Sequence, residues 1–262
     1  MHSCLVSHGC PTRSAVLLFC DEPNKRSGAA QIRICKMSNS AEIEFYDDLD
    51  APLYLQVDMA MDLIRTKYTK SPMSYNGLAN IETSPYPMDA VREAILNAAI
   101  NSDYGIGTAI KLMVYDDHME ILNFGGLPYG SDLDTIIKNH ISKSRNESIS
   151  NVFRRAHYVE KFGRGFEKMI KSYDGTGVEP PTFDTDELML CVKFKDIVYA
   201  KGIVARGFDG EPLSEGCEVI PASIRTVAAS FEMSVTQKKI VELLRNNPKE
   251  SAYTMADVLG IT

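Results

Sequence analysis

The sequence predicts an α+β fold: a mixed sheet with helices on one face. Two observations carry this. The elements run strand, helix, hairpin, helices, strand, not as a uniform βαβ alternation. Two stretches, 53–68 and 85–101, place apolar residues at helical spacing, whereas shorter apolar runs end in turn-forming residues.

Taken in order, "SAVLLFC" (14–20) and "AAQIRICKM" (29–37) read as strands separated by the turn-forming "DEPNKRSG". "LYLQVDMAMDLIRTKY" (53–68) reads as a helix, and the breaker-rich "TKSPMSYNGLANIETSPYP" (69–87) as a domain boundary. A second helix follows Pro87, whose missing N–H suits a first turn. Val91, Ala94, Ile95, Ala98 and Ala99 give it a broad apolar face before "NSDYGIG" ends it. "TAIKLMVYDD" and "HMEILNFGG" form a hairpin with "YDDHM" at its turn. "SDLDTIIKNHI" opens on the helix-capping residues Ser and Asp. "ESISNVFRRA" and "VEKFGRGFEKMIKSY" continue as helices, and "PTFDTDELMLCVKF" (181–194) is a turn-and-strand unit. Residues 197–230 have weak periodicity and read as a linker or strand region. From Thr236 to about Arg245 an amphipathic helix is expected, then a short one ending near "LGIT". Such a pair begins a helix-turn-helix, whose recognition helix would follow Thr262.

Composition narrows the function. The chain has 262 residues, 44% hydrophobic and 24% charged, as in a soluble globular protein of one large or two smaller domains. No apolar run approaches the ~20 residues of a membrane helix, and the N-terminus lacks the layout of a signal peptide. Cys4, Cys10, Cys20, Cys35, Cys191 and Cys217 form no C-x-x-C pair, which predicts reduced thiols and a cytoplasmic location. Cys4, His8 and Cys10 lack a fourth ligand at zinc-site spacing. The formal net charge of −7 is uneven: residues 41–50 hold five acids and no base, residues 138–171 nine Lys or Arg against three Glu. The basic stretch reads either as a phosphate-attracting surface or as solvated helix faces. No G-x-x-x-x-G-K-[ST] occurs, which excludes a P-loop helicase motor.

The chemistry centres on "PYPMDAVREAILNAAINSDYG" (85–105), an apolar helix that keeps Glu93 and Asn97 four residues apart, on one face. An amide oxygen suits Mg²⁺, and a carboxylate one turn away can orient or deprotonate water. Downstream, a strand runs into "NFGGLPYG" (123–130). The basic stretch with Arg145 and Asn146 follows, then "EKFGRGFEKMI" (160–170), where Gly163 and Gly165 open a helix. Glycines in such turns let backbone N–H groups approach phosphate.

This order of motifs resembles the GHKL ATPases, the superfamily of gyrase B, histidine kinases and MutL. The nearer resemblance is to a bacterial and archaeal branch of transcriptional regulators, often labelled RecG-like ATP-dependent DNA helicases. These combine an AlbA-like (Schlafen-type) N-terminal domain, a GHKL-like ATPase domain and a winged helix. The matching stretches run from Tyr86 to Phe194. The resemblance implies a partial AlbA-like α/β domain over 1–70 and a Bergerat-like ATP-binding α/β sandwich over 75–196. It further implies a linker over 197–230 and the start of a winged helix-turn-helix over 231–262.

Residue by residue, Glu93 matches the position that activates water and Asn97 the Mg²⁺ ligand. Asp103 and Tyr104 match an Asp-Tyr pair that usually follows His-Arg; here Asn101 and Ser102 precede it. Asn123, Gly125 and Gly126 stand where the superfamily has Asp-x-Gly-x-Gly, with Asn123 replacing the Asp that reads adenine. Arg145 and Asn146 match an Arg-Asn pair in the lid, and Gly163, Arg164 and Gly165 the second glycine box. The function so implied is an ATP-binding transcriptional regulator. ATP and Mg²⁺ would be its cofactors, and DNA would bind the winged helix and AlbA-like domain of the full-length protein. A Mg²⁺-dependent ATPase and a degenerate scaffold that binds protein or nucleic acid are the alternatives; self-association stays open, and no membrane role is implied.

Overall fold

The computed structural model describes residues 5–7, 9–28, 30–38, 40–76, 79–127, 133–139, 144–159 and 163–203. The winged-helix segment, the linker beyond residue 203 and Pro128 of the first glycine turn lie outside them.

A short antiparallel pair, β1 (Val6–Ser7) and β2 (Cys10–Pro11), leads into helix α1 (Arg13–Phe19). The run "SAVLLFC", expected as a strand, is therefore a helix. Thr12 decides this: its side chain accepts from the Ala15 N–H at 3.4 Å, and its own N–H is held by the Leu5 carbonyl at 2.8 Å. A capped N-terminus outweighs the strand preference of a short apolar run, and Leu17 and Leu18 are buried on the inner side of the helix.

After α2 (Asn24–Ser27) come β3 (Ile32–Met37), β4 (Ile43–Leu49) and α3 (Leu53–Leu63), which continues as a wider π-type turn over Ile64–Tyr68. Its buried residues Leu53, Val57, Ala60, Met61 and Ile64 keep the helical spacing of the sequence. The buried Gln56 donates to the Ala30 and Ala51 carbonyls at 2.7 and 2.6 Å. The 69–87 connection contains a small hairpin, β5 (Met73–Asn76) with β6 (Ala79–Glu82). Helix α4 (Met88–Asn101) follows, with Pro87 one position before it as the cap.

β7 (Ile110–Val114) and β8 (His118–Phe124) form the expected hairpin, closed by the Tyr115 N–H on the His118 carbonyl. Helices α5 (Leu133–Asn139), α6 (Glu147–Arg155) and α7 (Gly165–Lys171) precede a last hairpin. That hairpin is β9 (Thr182–Thr185) with β10 (Met189–Lys195), followed by the helical turn α8 (Ile197–Ala200).

Six strands make one mixed sheet in the order β4-β3-β7-β8-β10-β9. Only β3 and β7 are parallel. Segments on either side of the 69–87 connection thus share one sheet. Ile34, Leu112, Ile121 and Val192 stand in register across four strands and are all buried. Strict alternation along β7, β8 and β10 sends one apolar set inward, where α4 lies against β8 and α3 against β3. Helix α4 is buried over most of its circumference, as expected for a helix clasped between sheet and neighbouring helices.

Candidate functional site

Helix α4 carries one polar line. Asp89, Glu93, Asn97 and Asn101 recur every four residues, and all four line a cavity of about 550 Å³. Around them the helix is Ala, Val, Leu and Ile. The facing wall comes from the Gly163–Gly165 turn, from Lys168 and Lys171 of α7, and from Ser150 and Arg154 of α6. Gly126, Leu127 and Leu190 close the sheet side.

The tightest point is Gly165. A Cβ there would lie 2.4 Å from Glu93 Oε1 and 2.9 Å from Asn97 Nδ2. The start of α7 therefore sits against the Glu93–Asn97 pair, so close that a side chain there would displace the Glu93 carboxylate. Gly163 has a φ of 63°, the left-handed region, and turns the chain into that approach.

The charge balance of the wall is positive. Lys171 pairs with Glu167, while Arg164 and Lys168 pair with no carboxylate among the described residues. Arg154 is held by the Asn151 side chain and the Ser150 carbonyl. The Asn97 Nδ2 atom is buried and makes no hydrogen bond. A buried amide without a partner costs free energy, and Asn97 is the residue on the cavity wall that carries this cost.

Of the residues singled out in the sequence, Glu93, Asn97, Gly126, Gly163, Arg164 and Gly165 line this cavity. Asp103, Tyr104, Asn123, Gly125, Arg145 and Asn146 do not line it. Tyr104 is buried and donates its hydroxyl to the Ala99 carbonyl at 2.8 Å; burial pushes its phenol well above the ordinary range. Asn123 alternates onto the inner face of β8 beside Met119 and Ile121 and stands opposite Leu190 of β10. Its Nδ2 is also buried without a partner. The guanidinium of Arg145 donates to the Gly125 carbonyl and lies 3.7 Å from Asp103 Oδ2. The amide of Asn146 donates to the Ile100 and Ser102 carbonyls, each at 2.8 Å.

Sequence reading missed Asp89, Arg154, Lys168 and Lys171. Asp89 was signalled by the four-residue period that already joins Glu93 to Asn97. The three cations belong to the basic stretch 138–171, but nothing in their order distinguishes a cavity-facing cation from a solvated one.

A further polar cluster ties the segment after α6 to the helices. The Tyr158 hydroxyl lies 3.0 Å from Asp58 Oδ2, and Arg92 sits 5.1 Å over the Tyr158 ring. Burial raises the Asp58 carboxyl, and the Tyr158 bond and Arg92 only partly offset it.

Residues 107–194 match the family HATPase_c_4, described as "Putative ATP-dependent DNA helicase recG C-terminal", and this stretch is an ATPase-like domain. The match begins after α4, so Glu93 and Asn97 lie outside it. No curated protein matches the chain. Among solved structures, that of the DIP2311 protein from Corynebacterium diphtheriae is similar in fold, with a TM-score of 0.56 and 20% identity. The likeness covers 64% of this chain and 34% of that one, so the chain spans about a third of that protein's length.

Proposed function

We propose that the cavity under α4 binds ATP with Mg²⁺, and that the protein is an ATP-binding regulator. The observation that carries this reading is the meeting of Glu93 and Asn97 with Gly165, across a gap that a side chain would fill only by displacing the Glu93 carboxylate. The ATPase-like match of residues 107–194 supports it independently, because it covers the opposite wall.

The residues fit such a ligand. A cavity of about 550 Å³ is within the ordinary range for small-molecule sites. Mg²⁺ favours one or two protein oxygens and completes its shell with water and phosphate. Among the described residues no group of three or more His, Cys, Asp or Glu could hold a metal alone. Asn97 suits the lighter role, since turning its amide over presents Oδ1 where the unpartnered Nδ2 now stands. When bound, Mg²⁺-ATP would supply an electrophilic phosphorus, the metal offsetting the negative charge of the phosphate oxygens. Glu93, one helical turn from Asn97, holds a water and accepts its proton. Arg164 and Lys168 draw phosphate oxygens to the wall, and Gly163 and Gly165 allow the backbone close. Asn123 stands behind the cavity wall, opposite Leu190, and is the candidate reader of a base that reaches past that wall, offering both a donor and an acceptor.

In this reading nucleotide binding favours one arrangement of the whole protein over another, and so acts on DNA-binding segments at 1–70 and 231–262. Those segments, and any self-association, are part of the proposal and rest on the resemblance of the sequence.

Calorimetric titration of ATP with Mg²⁺ and with EDTA tests the site. Asn97→Ala is expected to weaken binding in Mg²⁺ and to change it little in EDTA. Glu93→Gln is expected to keep binding and to remove any phosphate release. If the wild type binds no ATP at millimolar concentration in either buffer, the scaffold reading replaces this one.

A further inference from the structure

We infer that Arg145 and Asn146 are positioning residues: they clasp the C-terminal end of α4 to the end of β8 and so hold Asn97 and Asn101 on the cavity wall. For the ligand this rests on the nucleotide reading above; the clasp itself rests on hydrogen bonds alone.

A helix leaves its last four carbonyls without intrahelical partners. Helix α4 has neither a glycine cap nor a basic residue in its last turn to meet them. Its end is satisfied from elsewhere. The Ala98 carbonyl takes the Ser102 N–H at 2.8 Å, and the Ala99 carbonyl the Tyr104 hydroxyl. The Ile100 carbonyl takes both the N–H of Asn146 at 3.2 Å and its side-chain amide, which also serves Ser102. Asn146 is thus a helix cap supplied from a distant part of the chain.

Arg145 completes the fastening. Its backbone N–H donates to Asn101 Oδ1 at 3.2 Å, and its guanidinium to the Gly125 carbonyl. Gly125 has a φ of 124°, and a Cβ there would meet Arg145 Nε at 2.9 Å and the Asp103 nitrogen at 3.1 Å. Asp103 N–H in turn donates to the Phe124 carbonyl at 2.7 Å, and Gly125 N–H to Leu188 at 2.6 Å. The end of α4, the end of β8 and the tip of the last hairpin are one connected unit.

That unit reaches the cavity through Asn101. Its Oδ1 accepts from Arg145, and its Nδ2 donates to the Asn97 carbonyl at 3.0 Å. Two hydrogen bonds therefore separate the Arg145 backbone from the Asn97 peptide. Arg145 and Asn146 themselves do not line the cavity, whereas Asn101 and Ser144 do.

The rival role for Arg145 is direct contact with phosphate. Titrations of ATP in Mg²⁺ and in EDTA separate the two, using Arg145→Ala, Asn146→Ala, Asn97→Ala and the Arg145→Ala/Asn97→Ala double variant. The clasp predicts that both single clasp variants lose affinity in Mg²⁺ by about tenfold, a hydrogen bond's worth. It also predicts little change in EDTA, and no further loss in the double variant. Equal or larger loss in EDTA, with additive loss in the double variant, assigns Arg145 to phosphate and overturns the inference. A lowered unfolding midpoint with the Mg²⁺ advantage intact reduces the pair to stability alone and also overturns it. Arg145→Lys, which keeps the charge but loses the fork, is judged by the same criteria should Asn146→Ala not fold. If the wild type binds no ATP, the nucleotide reading fails and the clasp is judged by amide hydrogen exchange. Faster exchange over Ala98–Asn101 in Arg145→Ala then supports it, and unchanged protection overturns it.

Discussion

Asn97 and Asn146 are both asparagines at the same helix, and they are used in opposite ways. The amide of Asn146 makes two hydrogen bonds to carbonyls at the end of α4. The amide nitrogen of Asn97, one turn inward, is buried and makes none. The same contrast divides the regions around them. At the clasp, Asn101, Asp103, Tyr104, Arg145 and Asn146 all have polar partners, and only Ser102 Oγ among the buried side-chain atoms there has none. In the cavity, Arg164 and Lys168 face the wall without carboxylate partners among the described residues. Saturated polar groups hold a structure together, and open ones await a ligand.

The strongest test of this division is at the glycines. Gly125→Ala forces a side chain into a φ of 124° and against the Asp103 backbone. A loss of about 3 kcal/mol is expected, read from urea unfolding at unchanged slope. Gly165→Ala meets instead the carboxylate at the far end of the Glu93 side chain, a flexible group and not backbone. Its folding cost should be well under that of Gly125→Ala, while ATP binding is lost. Equal folding costs would break the division between clasp and cavity.

The two asparagines come next. Asn146→Ala removes both side-chain bonds to the helix end and should cost about 1–3 kcal/mol. Asn97→Ala deletes an unpartnered buried donor and puts the best helix former in its place, so stability should hold or rise by up to about 0.5 kcal/mol. A marked destabilisation by Asn97→Ala would show that its amide is structural.

The smallest effects concern two carboxylates away from the cavity. Burial pushes Asp47 up, but hydrogen bonds from Lys67 and Tyr68 outweigh it and hold the group below the ordinary range. Asp47 thus adds stability above the usual carboxylate pKa, and this is lost as pH falls through its lowered value. Asp58 is the reverse: burial dominates, its pKa is raised, and stability declines as pH rises from the usual carboxylate value through the raised one. Melting temperature followed against pH should show a weaker acid loss in Asp47→Asn. Asp58→Asn, which keeps an acceptor for Tyr158, should melt slightly higher near neutral pH.

The cavity face of α4 was legible because helical spacing alone places Glu93 above Asn97. The β7–β8 hairpin was legible because two apolar runs flank a short polar turn. "SAVLLFC" was misread because seven mostly apolar residues set no period, and the deciding Thr12 lies just before them. Arg145 and Asn146 stood out as a pair, but their hydrogen-bond partners at the end of α4 did not. A helix end capped from a distant segment leaves no local trace in sequence. The parallel pairing of β3 with β7 was invisible for a related reason: alternation identifies a strand and its inner face but does not name the strand beside it.

That pairing bears on how the chain acquires its shape. Ile32 must find Ile110, and Cys35 must find Met113, before the centre of the sheet closes. Contacts so remote in sequence are slow to form, because a long loop is ordered before they stabilise anything. Until then β7 is an open rim with unpaired backbone groups, the kind of edge that recruits other chains. A fragment trimmed to residues 107–194 would make that transient rim permanent. Its fate should be aggregation, even though every strand from β7 to β10 is present.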